Sequence, residues 1–412
     1  MHRSLLLKRF SASNWASVGR GPPDPVFGVA EAFRRDKSET KVNLSVGAYR
    51  DDKGKPWVLG SVRKAEAMVL EKRMNKEYAP ILGIEQFCDL AARLAFGKDS
   101  DVIRSKRNAT VQSISGTGAL RLGAELIKRF HAGAKLVYIP EPTWPNHPNV
   151  FGATGLEIRK YRYYLPSTRS LDEDGMLEDI SKMEPAAVIL LHACAHNPTG
   201  VDPDPSQWEK ISAKILERKL VPFFDMAYQG FASGSLDFDA GSLRIFLRDG
   251  HQPLLAQSFA KNMGLYGERV GAFSAVCGSE TEATNVSSQL KRVVRSIYSN
   301  PPLHGARIAQ AIMSDEKLSQ QWHEELKQMS SRIIDMRKLL KENLKELGSK
   351  RSWEHVTQQI GMFCYTGLTP NQVDRMIKEH SIYLTADGRI SIAGLNSGNN
   401  LYVAKAIHEV TK

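Results

Sequence analysis

Cysteine is scarce. Cys88, Cys194, Cys277 and Cys364 are scattered over 412 residues without a C-x-x-C pair. That argues against a disulfide scaffold or a structural zinc site and for a reducing compartment. No apolar run approaches the roughly 20 residues that a membrane-spanning helix needs. Internal repeats and low-complexity tracts are missing, which disfavours solenoid and linker-rich architectures. The formal charge is +11, yet no block of Lys and Arg stands out. Spread charge of this kind suits the attraction of anionic substrates better than a nucleic-acid groove. Two phosphate-binding fingerprints fail. In "GTGALR", Arg121 stands where G-x-G-x-x-G needs its third glycine, and G-x-x-x-x-G-K-[ST] occurs nowhere. A dehydrogenase built on a dinucleotide fold is therefore disfavoured.

Acidic residues are also missing from one end. "MHRSLLLKRFSASNWASVGRGPP" has none before Asp24, but it carries Arg3, Lys8, Arg9 and Arg20 among serines and a few apolar residues. This is the composition of a mitochondrial presequence. Three leucines are too few for the apolar core of a secretory signal. Residues 1–12 are expected to direct the protein to the mitochondrial matrix.

What is present reads as an α/β protein of more than one domain. "TVQSIS", "AKLVYIP", "AAVILLHACA", "LVPFFDMAY", "PLLAQSFA" and "VGAFSAVCG" are apolar without alternation, and helical stretches such as "SQWEKISAKILERK" separate several of them. Strands of this type are buried on both faces, which predicts a mainly parallel sheet covered by helices. "PPDPVFGVAEAFRRD" predicts an extended arm leading into a helix, and "TVQSIS" should feed a helix through a glycine-containing turn. Asp315 to Leu347 is helical in periodicity and could bridge two domains. "RISIAGLNSGNNLYVAKAIHEVTK" predicts a strand and a final helix in a smaller α+β domain. The expected division is a presequence over 1–12, an N-terminal arm and first part of the small domain over 13–56, a large domain over 57–328 and a small C-terminal domain over 329–412.

Ligands of open α/β sheets bind beyond the C-terminal strand ends, and four stretches end strands there. Gly116 and Gly118 in "SISGTGAL" could bring backbone amides to a phosphate at a helix N-terminus, although an ordinary turn is as good a reading. His192, His196 and Asn197 follow in "LHACAHNPTG"; hydrogen-bonded structural histidines are favoured over a zinc site, because no ligand set accompanies them. Asp225 ends "FFD", with Tyr228 three residues on. It is either half of a buried ion pair or a functional carboxylate. Lys261 in "SFAKNMGLYGERVG" completes the series. A desolvated lysine can lose its proton and form a Schiff base with an aldehyde. A carboxylate can pair with a protonated pyridine nitrogen, and a phosphate cradle can anchor the same molecule. Together these describe a pyridoxal 5′-phosphate site.

With these residues in view, the sequence resembles the aspartate aminotransferases of the class I pyridoxal-phosphate enzymes, most of all their mitochondrial forms. "GPPDPVFGVAEAFRRD", "NLSVGAYRDDKGKPWVLGSVRKAE", "KEYAPILG", "SGTGALR", "HNPTG", "SFAKNMGLYGERVG", "YSNPP" and "DGRISIAG" carry the resemblance over nearly the whole chain. It implies fold type I and a homodimer with shared active sites. It implies that Lys261 is the Schiff-base lysine and proton shuttle, and that Asp225, supported by His147, pairs with the pyridine nitrogen. Asn197 and Tyr228 would bond the phenolic oxygen, and Trp144 would pack over the ring. Ser115, Gly116, Thr117, Ser258 and Arg269 would hold the phosphate, joined by Tyr78 from the other subunit. Arg389 would hold the substrate α-carboxylate and Arg295, also from the other subunit, the side-chain carboxylate; Gly47 would line the substrate site. Ser296 and Pro145 depart from the family pattern without replacing a catalytic side chain. The reaction implied is reversible ping-pong exchange of an amino group between L-aspartate and 2-oxoglutarate. The readings set against it are an aromatic aminotransferase or decarboxylase, which Arg295 opposes, and a catalytically silent binding protein on the same scaffold.

Overall fold

A computed structural model describes residues 13–21 and 27–412. The presequence expected over residues 1–12 lies outside the described residues, as does part of the arm before the helix Phe27–Arg35. Among the described residues, no helix is long and apolar enough to cross a membrane.

Seven of the strands form one sheet: β1 (Asn108–Ile114), β2 (Leu136–Glu141), β3 (Glu157–Arg162), β4 (Val188–His192), β5 (Val221–Met226), β6 (Leu254–Ser258) and β7 (Val270–Val276). Their order is β1-β7-β6-β5-β4-β2-β3. β7 runs antiparallel to both of its neighbours, and every other pair is parallel. β7 follows β6 after only the loop Phe259–Arg269, without a crossover helix, so it must return in the opposite direction.

Every residue of β4, β6 and β7 is buried, as their uninterrupted apolar runs require. Successive side chains feed opposite faces. Ile189, Leu191, Phe224 and Leu255 pack with Trp208 and Phe246 on one side. Val188, Leu190, Phe223 and Ala256 pack with Leu122 and Ile127 on the other. The covering helices are started by local chemistry. Helix Pro205–Glu217 has a capping box between Asp204 and Gln207, which satisfies amide groups the first turn leaves free.

One local expectation changes. No turn separates β1 from its helix, Ser115–Phe130, and Gly116 and Gly118 lie inside the first helical turn. The change of direction falls on Ser115 itself, at φ 58°.

The arm and the C-terminal region meet through short strands. Val42–Asn43 pairs in parallel with Ile382–Tyr383, and Phe363–Tyr365 pairs antiparallel with Arg389–Ser391. Helix Glu316–Glu346 runs 31 residues from its Asp315 cap, so the position expected to divide the domains, 328/329, falls inside one continuous helix. The final helix is Asn400–Val410.

Candidate active site

Parallel register brings three polar strand ends to one edge. His192 of β4 lies opposite Asp225 of β5, which lies opposite Ala256 of β6, two residues before Ser258. A cavity of about 460 Å³ opens beyond this edge.

At one end of the cavity is the start of helix Ser115–Phe130. Its first amides have no partner within the helix, and its dipole favours an anion. Ser115 Oγ and Ser258 Oγ are 3.0 Å apart. A Cβ on Gly116 would come within 3.2 Å of Ser258 Cβ, so a larger residue there would crowd this corner. Arg269, in the left-handed region at φ 54°, donates from Nη1 to the carbonyl of Tyr266 at 2.9 Å. Thr117 also lines this end.

In the middle, Asp225 Oδ2 lies 3.0 Å from His147 Nε2. Thr143 Oγ1 lies 2.8 Å from His147 Nδ1 and 3.2 Å from His192 Nε2. Burial pushes Asp225 upward, but the hydrogen bond and charge of His147, with help from His192 and Lys261, outweigh it and hold the carboxyl below its ordinary range. His192 is driven down to about 3, chiefly by burial. His196 is buried, stacks on Tyr163 at 4.0 Å and bonds Thr199 Oγ1 at 2.8 Å; burial keeps it neutral. Trp144 stands edge-on to His147 with ring centroids 5.2 Å apart.

Lys261, in the loop after β6, places Nζ 4.9 Å from the centre of the Tyr228 ring. Among the described residues no carboxylate forms an ion pair with it. Loss of hydration lowers Lys261 from 10.5 to about 8, only partly offset by Asp225. Burial pushes the Tyr228 hydroxyl above the phenol range, with Arg389 pulling against it.

The far end holds Arg389, which is 3% exposed. Its Nη2 donates to the Ser45 carbonyl at 2.7 Å and its Nη1 to Asn197 Oδ1 at 3.2 Å. The guanidinium lies over the Phe363 ring at 4.2 Å, and among the described residues Nε has no partner. A buried guanidinium that meets only neutral groups is suited to receive a carboxylate. Gly47 closes this end, where a Cβ would sit 2.6 Å from Phe363 Cζ.

Two residues singled out from the sequence are not brought here. Arg295 is exposed on helix Glu280–Ile297 and bonds Ser299 Oγ. Tyr78 is 87% exposed and lines a separate groove with Met68 and Arg307. Conversely, Thr143, Tyr266 and Phe363 were missed. Tyr266 had a signal, a phenol between Lys261 and Arg269. Phe363 and Thr143 had none, because their roles arise from contacts distant in sequence.

The sequence profile described as aminotransferase class I and II matches residues 39–407. The chain belongs to that family. Among relatives of this aminotransferase, the mitochondrial aspartate aminotransferase of Xenopus tropicalis is 56% identical over 402 residues, covering 98% of this chain and 94% of that protein. The cytoplasmic aspartate aminotransferase of Saccharomyces cerevisiae superposes with a TM-score of 0.95 at 44% identity, covering 97% and 99% of the two chains. The aromatic-amino-acid aminotransferase of Burkholderia pseudomallei, solved covalently bound to pyridoxal phosphate, superposes with a TM-score of 0.95 at 42% identity, covering 97% and 100%. The cofactor of this aminotransferase is pyridoxal 5′-phosphate, and the fold is the type I fold of such transferases. The cavity fits that cofactor: an anion-binding end, an ionised buried carboxylate and a lysine of depressed pKa lie around it in one space.

Proposed function

We propose that this aminotransferase works as a homodimer in the mitochondrial matrix and interconverts L-aspartate and 2-oxoglutarate with oxaloacetate and L-glutamate. The observation that carries the amino-acid reading is Arg389, a buried cation with no carboxylate partner among the described residues, facing the cavity that also contains Lys261; the choice of a dicarboxylate rests on Arg295.

Ser115, Gly116, Thr117, Ser258 and Arg269 would hold the cofactor phosphate by amides, hydroxyls and charge. Asp225, kept ionised by His147, would pair with the ring nitrogen. Asn197 and Tyr228 would bond the phenolic oxygen, and Trp144 would cover the ring. Bound there, pyridoxal phosphate supplies an electron sink for the bond broken at the substrate α-carbon. Lys261 would hold the cofactor covalently and would serve as the base that takes the proton from the α-carbon. Loss of hydration lowers the Lys261 pKa, which favours the neutral amine that a base requires. Arg389 holds the α-carboxylate, and Phe363 and Gly47 keep the guanidinium in line, so the α-C–H bond is presented to Lys261 in one orientation.

Tyr78 and Arg295 act in the partner's cavity, Tyr78 at the phosphate and Arg295 at the side-chain carboxylate. Their exposure and their absence from the lining of their own cavity support this reading. The division into a large domain over 57–328 and a small one formed by 13–56 with 329–412 is supported by the pairing of Val42–Asn43 with Ile382–Tyr383. Residues 1–12 are the presequence; a fluorescent fusion lacking them should remain cytosolic.

The direct test is an absorption spectrum of the purified protein before and after L-aspartate. A yellow, borohydride-reducible chromophore that aspartate bleaches and 2-oxoglutarate restores is expected. A colourless protein, or one bleached by phenylalanine but not by aspartate, would overturn the reading.

A further inference from the structure

The segment Ser45 to Tyr49 borders the cavity, which Val46, Gly47 and Ala48 line. Two hydrogen bonds tie its ends, and the buried Tyr49 ring packs against Trp57 and Phe231. At the Ser45 end, the carbonyl accepts from Arg389 Nη2 at 2.7 Å. At the Tyr49 end, the backbone amide donates to the hydroxyl of Tyr266 at 2.8 Å. Tyr266 belongs to the same loop as Lys261, lines the cavity, and offers its own carbonyl to Arg269 Nη1 at 2.9 Å. Between the two ties, Gly47 leaves room for Phe363, the ring that lies against Arg389; a Cβ there would come within 2.6 Å of Phe363 Cζ. One phenol therefore connects the loop carrying the lysine and the phosphate-side arginine to the segment that shapes the carboxylate end.

We propose that Tyr266 is a positioning residue whose hydroxyl fixes the segment 45–49, and through it Gly47 and Arg389, relative to the Lys261–Arg269 loop. The proposal deepens the dicarboxylate reading above and rests on it. The tie spans 217 residues of sequence and is the sole hydrogen bond to the Tyr49 amide among the described residues. Without it the segment keeps its hold on Arg389 but loses its reference to the loop that carries Lys261. Substrate capture should then suffer more than the proton transfer that follows.

The test is Tyr266→Phe, which keeps the ring and removes only the hydroxyl, the acceptor for the Tyr49 amide. In the holoenzyme, KM for aspartate and the inhibition constant of succinate, an unreactive dicarboxylate, should rise together about five-fold, the size of one neutral hydrogen bond. Turnover should stay within about two-fold of wild type, and so should cofactor affinity, read from the bound chromophore. Independently of activity, hydrogen–deuterium exchange of a peptide covering residues 45–50 should quicken in the cofactor-free chain, while peptides from β5 and β6 keep their protection. Unchanged KM and succinate inhibition with the cofactor bound normally would overturn the proposal. So would a loss of cofactor affinity with KM unchanged, which would assign the hydroxyl to the cofactor end of the cavity rather than to the segment 45–49. If wild type failed to turn over aspartate, the dicarboxylate reading would fall, and the exchange measurement would still decide whether the tie exists.

Discussion

Subunit sharing gives the most demanding prediction. Arg295 is exposed and absent from the cavity that Lys261 of its own chain lines. If the enzyme is a two-fold dimer in which Arg295 serves the partner's cavity, each working site needs Lys261 from one subunit and Arg295 from the other. On the proposed mechanism, Lys261→Ala removes the proton shuttle. Arg295→Ala removes a charge-assisted contact to the side-chain carboxylate, a loss of roughly 2–5 kcal/mol, which is about 30-fold or more in aspartate turnover at limiting substrate. Each variant alone is therefore nearly silent. Subunits of the two are mixed in equal amounts, exchanged under mild denaturant and assayed for aspartate turnover. Random pairing makes about half of the dimers mixed, and in each mixed dimer one site collects both defects while the other collects none. About a quarter of wild-type activity should return. If Arg295 served its own chain, every site would carry one defect and nothing would return. A flat assay, with exchange verified by mass, would refute the shared site.

Three further outcomes are expected. Lys261 binds its proton less tightly in the folded chain than in the unfolded one, 10.5 falling to about 8. The cost of burying its charge is full below about pH 8 and relieved progressively between about 8 and 10.5, and cofactor capture by the apoenzyme should quicken as pH rises through about 8; a midpoint near 10.5 would contradict the desolvation argument. Gly47→Ala forces Phe363 to move from a 2.6 Å contact, so KM for aspartate should rise about ten-fold while the cofactor spectrum is preserved; unchanged KM would show that Phe363 does not support Arg389. Gly123→Ala puts a Cβ 2.4 Å from Phe223 Cζ, between helix and sheet. It should lower stability by roughly 1–3 kcal/mol, read as a lower urea midpoint at unchanged slope.

Local composition was enough to reveal the layers. Runs such as "VILLH" and "LLAQS" lack alternation because both faces of β4 and β6 are covered, and that burial acts on each residue independently of strand order. Position in the run was also enough to bring Asp225 and Lys261 to notice, since a charge at the end of an apolar strand is costly anywhere. Family motifs then supplied roles for Ser115, Asn197, Arg269 and Arg389 that spacing alone could not. The tertiary structure decided the rest. Nothing in "VGAFSAVCG" says that β7 inserts between β1 and β6, because strand order depends on how connections pack rather than on the strand's own pattern. The pairing of His147 with Asp225, the Phe363 ring beneath Arg389 and the Tyr266 hydroxyl on the Tyr49 amide each join residues at least 26 positions apart. Such contacts depend on register and on the path of distant loops. A periodicity of two or 3.6 residues says which face a side chain occupies, not which partner it will find there.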